Sequence, residues 1–146
     1  KAQRHLDPGQ LALAKTRLLM ASFLQYMLPG APSLYYADEA GMEGYKDPFN
    51  RRTYPWNKED PQLLRHFRYL GRLRKEHACL RLGGTRFFRA WGGKLGFCRT
   101  LEGKQVRVYL NHSETDWEIP GGDVLMSHKM DRRVIHPLGW CIVEED

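Results

Sequence analysis

Long hydrophobic runs are missing from the sequence, and so are the motifs of several common binding sites. The longest apolar stretch, residues 18–28, is interrupted by Ser22 and Gln25 and falls short of the roughly 18 apolar residues of a membrane helix. The sequence also has no phosphate-binding glycine loop, no dinucleotide fingerprint and no Asp-rich calcium loop. We therefore expect a soluble chain with no membrane partner and with neither a cofactor nor a metal in this segment.

Cysteine is scarce, and its spacing excludes two further kinds of site. Cys79, Cys98 and Cys141 are an odd number of widely spaced residues, which fits neither a disulfide framework nor a CxxC zinc site. We expect reduced, buried thiols, which favours a cytoplasmic location. The chain also lacks an initiating methionine and a signal-peptide pattern, so we interpret Lys1 as a cloning or processing boundary.

Acidic residues are few in one basic region of a chain whose formal net charge is +6. Between Arg65 and Arg89, eight Lys or Arg residues accompany a single acid, Glu76. Several of these cations recur at helical spacing opposite an apolar stripe, as on a solvated helix face or a face turned towards a barrel. No nucleic-acid motif accompanies them, so we expect no nucleic-acid partner.

Two Asp-Pro pairs mark the starts of helices, because Asp suits the N-cap position and Pro the first helical position. The pair Asp7-Pro8, followed by Gln10, predicts a helix over residues 8–27 that stops before Pro29-Gly30. The pair Asp60-Pro61 predicts a second helix over residues 61–77, with a leucine-rich stripe on one face.

Between the two helices, the pattern predicts a short buried strand and then a long loop. Residues 33–36 are the predicted strand. About twenty residues without any period follow, rich in Gly, Pro, Asp and Arg, and a loop of that length is usually functional or disordered.

The second half of the chain has the pattern of a β domain. From Thr85 onward, short alternating runs such as RFFRAW, KQVRVYLN and GWCIVEE are separated by Gly-Gly, Asn-His-Ser and Pro-Gly-Gly turns. This spacing predicts an antiparallel sheet or sandwich of about six to eight strands. We place the boundary between the two halves close to Gly83-Gly84.

The segment Pro29 to Gly41, PGAPSLYYADEAG, resembles a pattern of glycoside hydrolase family 13, the alpha-amylase family. In that family, Pro-Gly-X-Pro, β-forming residues, an aromatic pair and Gly-Asp-Glu-X-Gly mark the eighth barrel strand and the start of its loop. Ala37 departs from the pattern, because it occupies a position that is usually glycine. The resemblance implies that Asp38 and Glu39 lie at the C-terminal end of the strand, the face where barrel enzymes bind substrate.

The loop KDPFNRRTYPWN resembles the Asp-Pro-X-X-Arg element of neopullulanase, cyclomaltodextrinase and maltogenic amylase relatives. In those enzymes the Asp and the Arg line a glucose subsite, and here they are Asp47 and Arg51. A carboxylate and a guanidinium can share the vicinal hydroxyls of one glucose ring, and Tyr45 and Trp56 could add a stacking surface. The alternative is that Asp47 and Arg51 form an internal ion pair that only shapes the loop.

Further along, LRKEHACLRLG, residues 73–83, resembles the family's junction between the last barrel helix and the C-terminal β domain. The resemblance covers the whole chain, strongly from Pro29 to Gly83 and weakly beyond. It implies an α+β fold: residues 1–83 are a helix-strand-helix piece that ends a (β/α)8 barrel, and residues 84–146 are an antiparallel β-sandwich C-terminal domain. We expect His77 to be a structural histidine.

The catalytic carboxylates of the family lie on three earlier barrel strands, and only 27 residues precede Leu28. A complete barrel needs about 250 residues. Asp38 and Glu39 are poor substitutes, since successive residues of an extended segment point to opposite sides and cannot straddle one bond. The resemblance therefore implies that this segment has no catalytic residue. The segment is predicted to be inactive alone. Calcium accompanies many longer members of the family, so the resemblance allows a calcium ion in the longer protein.

As partners, the resemblance implies an α-glucan or maltooligosaccharide and the missing N-terminal part of the barrel. The longer protein is expected to cleave or transfer α-glucosidic bonds by a retaining mechanism. Two other readings stay open for the β half. It is either a carbohydrate-binding module, with a strip formed by Trp91, Trp117 and Trp140, or a structural domain without a ligand.

Overall fold

The computed structural model describes residues 5–145, and within them three α-helices precede six strands. The helices are α1 (Pro8–Met27), α2 (Pro61–Glu76) and α3 (Ala78–Leu82). The strands are β1 (Gly84–Trp91), β2 (Lys94–Leu101), β3 (Lys104–Asn111), β4 (Trp117–Glu118), β5 (Asp123–Asp131) and β6 (Val134–Glu145). None of the helices within residues 5–145 combines the length and the apolar character needed to cross a membrane.

The two long helices begin where the Asp-Pro pairs predict, and this prediction is confirmed. Asp7 accepts a hydrogen bond from the backbone N–H of Gln10 at 2.9 Å, and the Gln10 side chain accepts one from the Asp7 N–H at 3.3 Å. This reciprocal capping box satisfies two N–H groups that the helix itself leaves unpaired. Asp60 caps α2 in a similar way, by accepting from the N–H groups of Gln62 and Leu63.

Two buried arginines satisfy the carbonyl groups at the C-terminal end of α1. The acceptors are the carbonyl oxygens of Tyr26, Leu28 and Gly30 for Arg74, and those of Met27 and Gly83 for Arg99. The last carbonyls of a helix lack intrahelical partners and carry partial negative charge, so a cation stabilises them. Because Arg74 lies on α2 and Arg99 on β2, these contacts join both helices to the sheet.

The junction that follows α2 is held by the same kind of contact. Arg81 donates to the carbonyl oxygens of Arg74 and Lys75 and so caps the end of α2. His77, which follows α2, lies 3.4 Å from a carboxylate oxygen of Glu144 on β6. Arg81 therefore acts as a helix cap, while His77 joins the junction to β6.

All six strands pair antiparallel, in the order β1-β2-β3-β6, with β4 and β5 also paired to β6. The same part of β6 pairs with β3 and with β5, so these two strands lie on opposite edges of β6. The antiparallel β domain is confirmed, with the strand number at the low end of the expected range. The expected β-sandwich is not confirmed. The long strand β6 has three strand partners and joins all six strands into one hydrogen-bonded sheet.

The main core lies between the helices and one face of the sheet. Phe23 of α1 stacks on Trp140 of β6 with ring centroids 4.1 Å apart, and both side chains are fully buried. A smaller cluster on the opposite face includes Tyr109, Ile119 and Ile135. Cys79, Cys98 and Cys141 are free thiols and buried, as expected. The first strand begins at Gly84, but the division into two domains at this point stays a prediction.

The strand predicted over residues 33–36 is absent from the described structure, where this segment is irregular. A barrel strand forms by pairing with its neighbours, and within residues 5–145 this segment has no adjacent strand. Ala37 follows it in the left-handed conformation with φ of 61°. This backbone geometry favours glycine and explains physically why a glycine suits that position.

Candidate functional site: the loop between α1 and α2

The loop between the two long helices is tied to α1 at its C-terminal end. Lys15 of α1 forms an ion pair with Asp60 at 2.6 Å, and Asp60 also donates its backbone N–H to the Ala40 carbonyl. Although partial burial by itself raises the pKa of Asp60, the hydrogen bonds from Lys15, Leu63 and Gln62 lower it overall. Asp60 therefore caps α2 as a carboxylate and fixes where the loop ends.

Glu43 fixes the middle of the loop to the residues that precede α1. Its carboxylate accepts from the Leu6 N–H at 2.8 Å and lies 3.0 Å from the His5 ring nitrogen. The hydrogen bond from Leu6 and the contact with His5 lower the pKa of Glu43. Arg52 also donates to the Glu43 carbonyl oxygen. These contacts hold the two flanks of the segment 44–51, which carries the predicted sugar-binding pair.

Asp47 and Arg51 form an ion pair in the structure, with the Arg51 nitrogen 2.6 Å from the Asp47 oxygen. Their side chains are 64% and 45% exposed, so both stay accessible to a ligand. The contact uses one terminal nitrogen of a guanidinium that has five N–H donors. The geometry therefore contains the loop-shaping ion pair and leaves donors and acceptors for a sugar, and sugar contact stays a prediction.

The two predicted stacking residues are exposed but lie in different surroundings. Trp56 is 76% exposed and packs against Tyr54 with ring centroids 4.7 Å apart. Tyr45 lines a groove beside α1 and makes no stacking contact with Trp56 in the described structure. The sequence reasoning missed Tyr54, although residues two apart in an extended segment share a side and its spacing from Trp56 could have indicated it.

The groove beside α1 has a volume of about 890 Å³ and lies between the first turns of α1 and residues 41–45. Asp38, within a 3-10 turn over Asp38–Ala40, lines it, whereas Glu39 does not. Burial, and then the charge of Glu39, raise the pKa of Asp38. The two adjacent carboxylates thus do not face one cavity together. Residues 5–145 contain no cluster of three His, Cys, Asp or Glu side chains arranged to hold a metal ion.

Comparison with known proteins gives similarity to amylopullulanase, cyclomaltodextrinase and maltogenic amylase, although no protein-family model matches the chain. It is 44% identical over 89 residues to the amylopullulanase of Thermoanaerobacter thermohydrosulfuricus, which covers 61% of this chain and 6% of that protein. It is 34% identical over 110 residues to the cyclomaltodextrinase of Geobacillus thermopakistaniensis, covering 73% of this chain and 18% of that protein.

A solved structure extends the similarity to the fold. The maltogenic amylase from S. marinus matches with a TM-score of 0.76 and 28% identity, covering 89% of this chain and 19% of that one. The matched part is the C-terminal region of that enzyme, with its antiparallel sheet. The chain thus spans less than a fifth of the length of each of these three proteins.

Proposed function

The chain belongs to glycoside hydrolase family 13, the alpha-amylase family, and we propose that it is the C-terminal part of an enzyme that acts on α-glucosidic bonds. The substrates we infer are starch-like glucans or maltooligosaccharides. The observation that carries the proposal is the similarity to amylopullulanase and cyclomaltodextrinase within one short segment.

We propose that residues 1–83 end the catalytic barrel and that the rest of the barrel is the partner of this segment. An exposed apolar surface supports this: Leu11 and Leu13 of α1 and the aromatic pair Tyr35 and Tyr36 all lie at the surface. Large exposed apolar patches mark surfaces that pack against another part of a protein. Residues 33–36 would become a strand by pairing with a neighbouring barrel strand.

The chemistry proposed for the parent enzyme is retaining hydrolysis or transfer. Such enzymes need two carboxyl groups about 5 to 5.5 Å apart, one as nucleophile and one as acid. In this segment the adjacent pair Asp38 and Glu39 does not face one cavity. We therefore propose that the catalytic carboxylates lie elsewhere in the parent and that this segment is inactive alone.

For the loop, we propose a glucose subsite built on Asp47 and Arg51. The carboxylate would accept from one sugar hydroxyl and the guanidinium would donate to its neighbour, while the exposed indole of Trp56 and the ring of Tyr45 would cover apolar sugar faces. The support is the close, exposed ion pair and the 76% exposure of Trp56.

The test of the enzyme proposal is to compare this chain with the longer reading frame that contains it. We expect the longer frame to encode a His-Asp pair shortly upstream of Lys1 and catalytic Asp and Glu elements before it. Its product should release reducing sugar from starch or maltooligosaccharides, while the 146-residue chain alone should not. Hydrolysis by the 146-residue chain, or a longer frame without those carboxylates, would contradict the proposal.

A structural role for the β half is the second candidate, and burial favours it over a carbohydrate-binding module. The prediction that three tryptophans form an exposed strip is wrong for Trp140, because this side chain lies in the core against Phe23. Of these three, only Trp91 is largely exposed, and Trp117 is half-buried.

A variant W56F distinguishes sugar binding by the loop from sugar binding by the β half better than a truncation, because the helices and the sheet share one core. Maltooligosaccharide quenching of tryptophan fluorescence should disappear in W56F if the loop is the binding site.

A further inference from the structure

A groove of about 450 Å³ lies on the face of the sheet that points away from the helices, and we call it the β1 groove. The residues that line it include Arg86, Phe88, Arg89, Trp91, Arg107 and Trp117. Side chains alternate along a strand, so on β3 Val106 and Val108 enter the main core while Arg107 lines the groove. The groove is therefore separate from the loop between α1 and α2.

A β-bulge concentrates β1 side chains in this groove. The pairing register with β2 shifts between Phe87 and Arg89, so both Phe88 and Arg89 reach the groove face. Phe87 instead packs against Phe97 of the main core. Phe88 lies over Gly96, where any added Cβ would overlap the ring. The bulge thus places two arginines and two aromatic rings of one strand together.

Arg89 is held by aromatic rings and not by an acid. The central carbon of its guanidinium lies 4.6 Å from the centroid of the Trp91 ring and 6.0 Å from that of Trp117. Its Nε atom is buried without a hydrogen-bond partner, and within residues 5–145 no carboxylate pairs with Arg89. A guanidinium that indole rings have already partly desolvated loses less hydration when it binds an anion.

The charge of the groove selects the kind of anion. Arg107 is neutralised by its ion pair with Glu145. Arg86 contacts only the Cys98 sulfur, at 3.9 Å, and no ion pair is formed by it in the part of the chain that the structure describes. Two uncompensated guanidinium groups therefore face the groove, which matches a doubly charged phosphate better than a single carboxylate. The planar fork of arginine also suits phosphate oxygens.

We propose that the β1 groove binds a small phosphate monoester whose ring packs against the aromatic walls of the groove. Arg86 and Arg89 hold the phosphate oxygens, and Trp91, Phe88 and Trp117 supply the apolar surface. A sugar phosphate and a nucleoside monophosphate share this chemistry. The proposal does not depend on the enzymatic function proposed above, since the groove uses none of the loop residues.

The test is isothermal titration of the 146-residue chain at low salt with glucose 1-phosphate and with adenosine 5′-monophosphate, and with inorganic phosphate and maltotriose as comparisons. At least one ester should bind more tightly than inorganic phosphate, and maltotriose should leave the groove empty. The variant R89Q should weaken ester binding about tenfold or more, because it removes charge-assisted hydrogen bonds. R89K, which keeps the charge but not the fork, should give an intermediate loss.

The matched control is R72Q, which removes the same charge from the exposed surface of α2. It should change the affinity less than about twofold, because Arg72 is exposed on α2 and lines no part of the groove. Thermal melting of each variant checks that it folds. The proposal is overturned if neither ester binds up to about 10 mM, a range in which even one charge-assisted contact registers. It is also overturned if R72Q and R89Q weaken binding equally, or if maltotriose binds and W91A, but not R89Q, abolishes that binding.

Discussion

The sheet and the loop between α1 and α2 use the same kinds of residues in opposite ways. In the sheet, an aromatic residue and a cation, Trp140 and Arg99, are fully buried and join the helices to β-strands. In the loop, Trp56 and the pair Asp47 and Arg51 are exposed, and the ring contact and the ion pair that they form are made within the loop. The comparison indicates that the buried residues of the sheet and its helix contacts carry the stability, and that the sugar subsite proposed for the loop uses residues on which the fold does not depend.

The strongest way to break this comparison is to remove a buried cation from the sheet. The change Arg99→Met should lower the free energy of unfolding by about 3 kcal/mol, because the carbonyls of Met27 and Gly83 lose their donor within the core. Urea unfolding followed by circular dichroism measures it. The control Arg72→Met, at the exposed surface of α2, should cost less than about 0.5 kcal/mol. Equal costs for the two variants would show that the cap on α1 does not hold the fold together.

The next effect should come from acid, which should weaken the contact between α2 and the sheet. His66 of α2 is buried, lies 2.9 Å from the Ser22 hydroxyl and contacts the Trp140 ring. Burial, and then the nearby His128, lower the pKa of His66 to about 4. The unfolded chain therefore binds a proton near pH 6.5 that the folded chain refuses until about pH 4.

The direction in which stability changes with pH follows from this difference in proton binding. Stability that is complete above pH 6.5 should fall as the pH drops towards about 4, by on the order of 3 kcal/mol, and then level off for this group. Urea unfolding at several pH values measures the fall. In the variant His66→Gln the fall over this range should be smaller by most of that amount. An unchanged pH profile in the variant would exclude His66 as the cause.

The local parts of this architecture could be predicted from the sequence, and the parts that depend on distant residues could not. Asp7 and Asp60 act on neighbouring N–H groups, so their capping roles follow from spacing alone. Arg99 caps a carbonyl 72 residues away, and no local pattern reports that contact. The prediction of a strand over residues 33–36 was wrong for the same reason, because a strand depends on pairing with a partner that the local sequence does not contain.

The candidate site shows the same division between local and distant information. Asp47 and Arg51 are four residues apart, and their spacing in a loop allowed the ion pair to be anticipated. The contact of Glu43 with His5 and Leu6 joins residues 38 and 37 positions apart, and the sequence pattern did not indicate it. The loop residues could therefore be named from the sequence, while the contacts that hold the loop could not.

The loop itself should show the opposite response to mutation. Asp47→Asn and Arg51→Gln should each change the free energy of unfolding by less than about 1 kcal/mol, since both side chains are exposed. If the proposed glucose subsite is correct, each change should raise KM for maltooligosaccharides about tenfold in the proposed parent enzyme, because each would remove a charge-assisted contact to sugar. The control Lys46→Gln, at an exposed neighbouring position, should leave KM unchanged. Loss of stability without any change in KM would assign the pair to loop shape alone.

The smallest expected effect concerns Ala37, at the start of the loop. Its left-handed backbone, with φ of 61°, is disfavoured for a residue with a Cβ by about 1 kcal/mol. Ala37→Gly removes that cost but increases the freedom of the unfolded chain, so the net stabilisation should be only about 0.5 kcal/mol. Urea unfolding compares it with Ala40→Gly, in the 3-10 turn at negative φ, which should destabilise the fold. If both changes destabilise equally, the left-handed geometry at Ala37 is not strained.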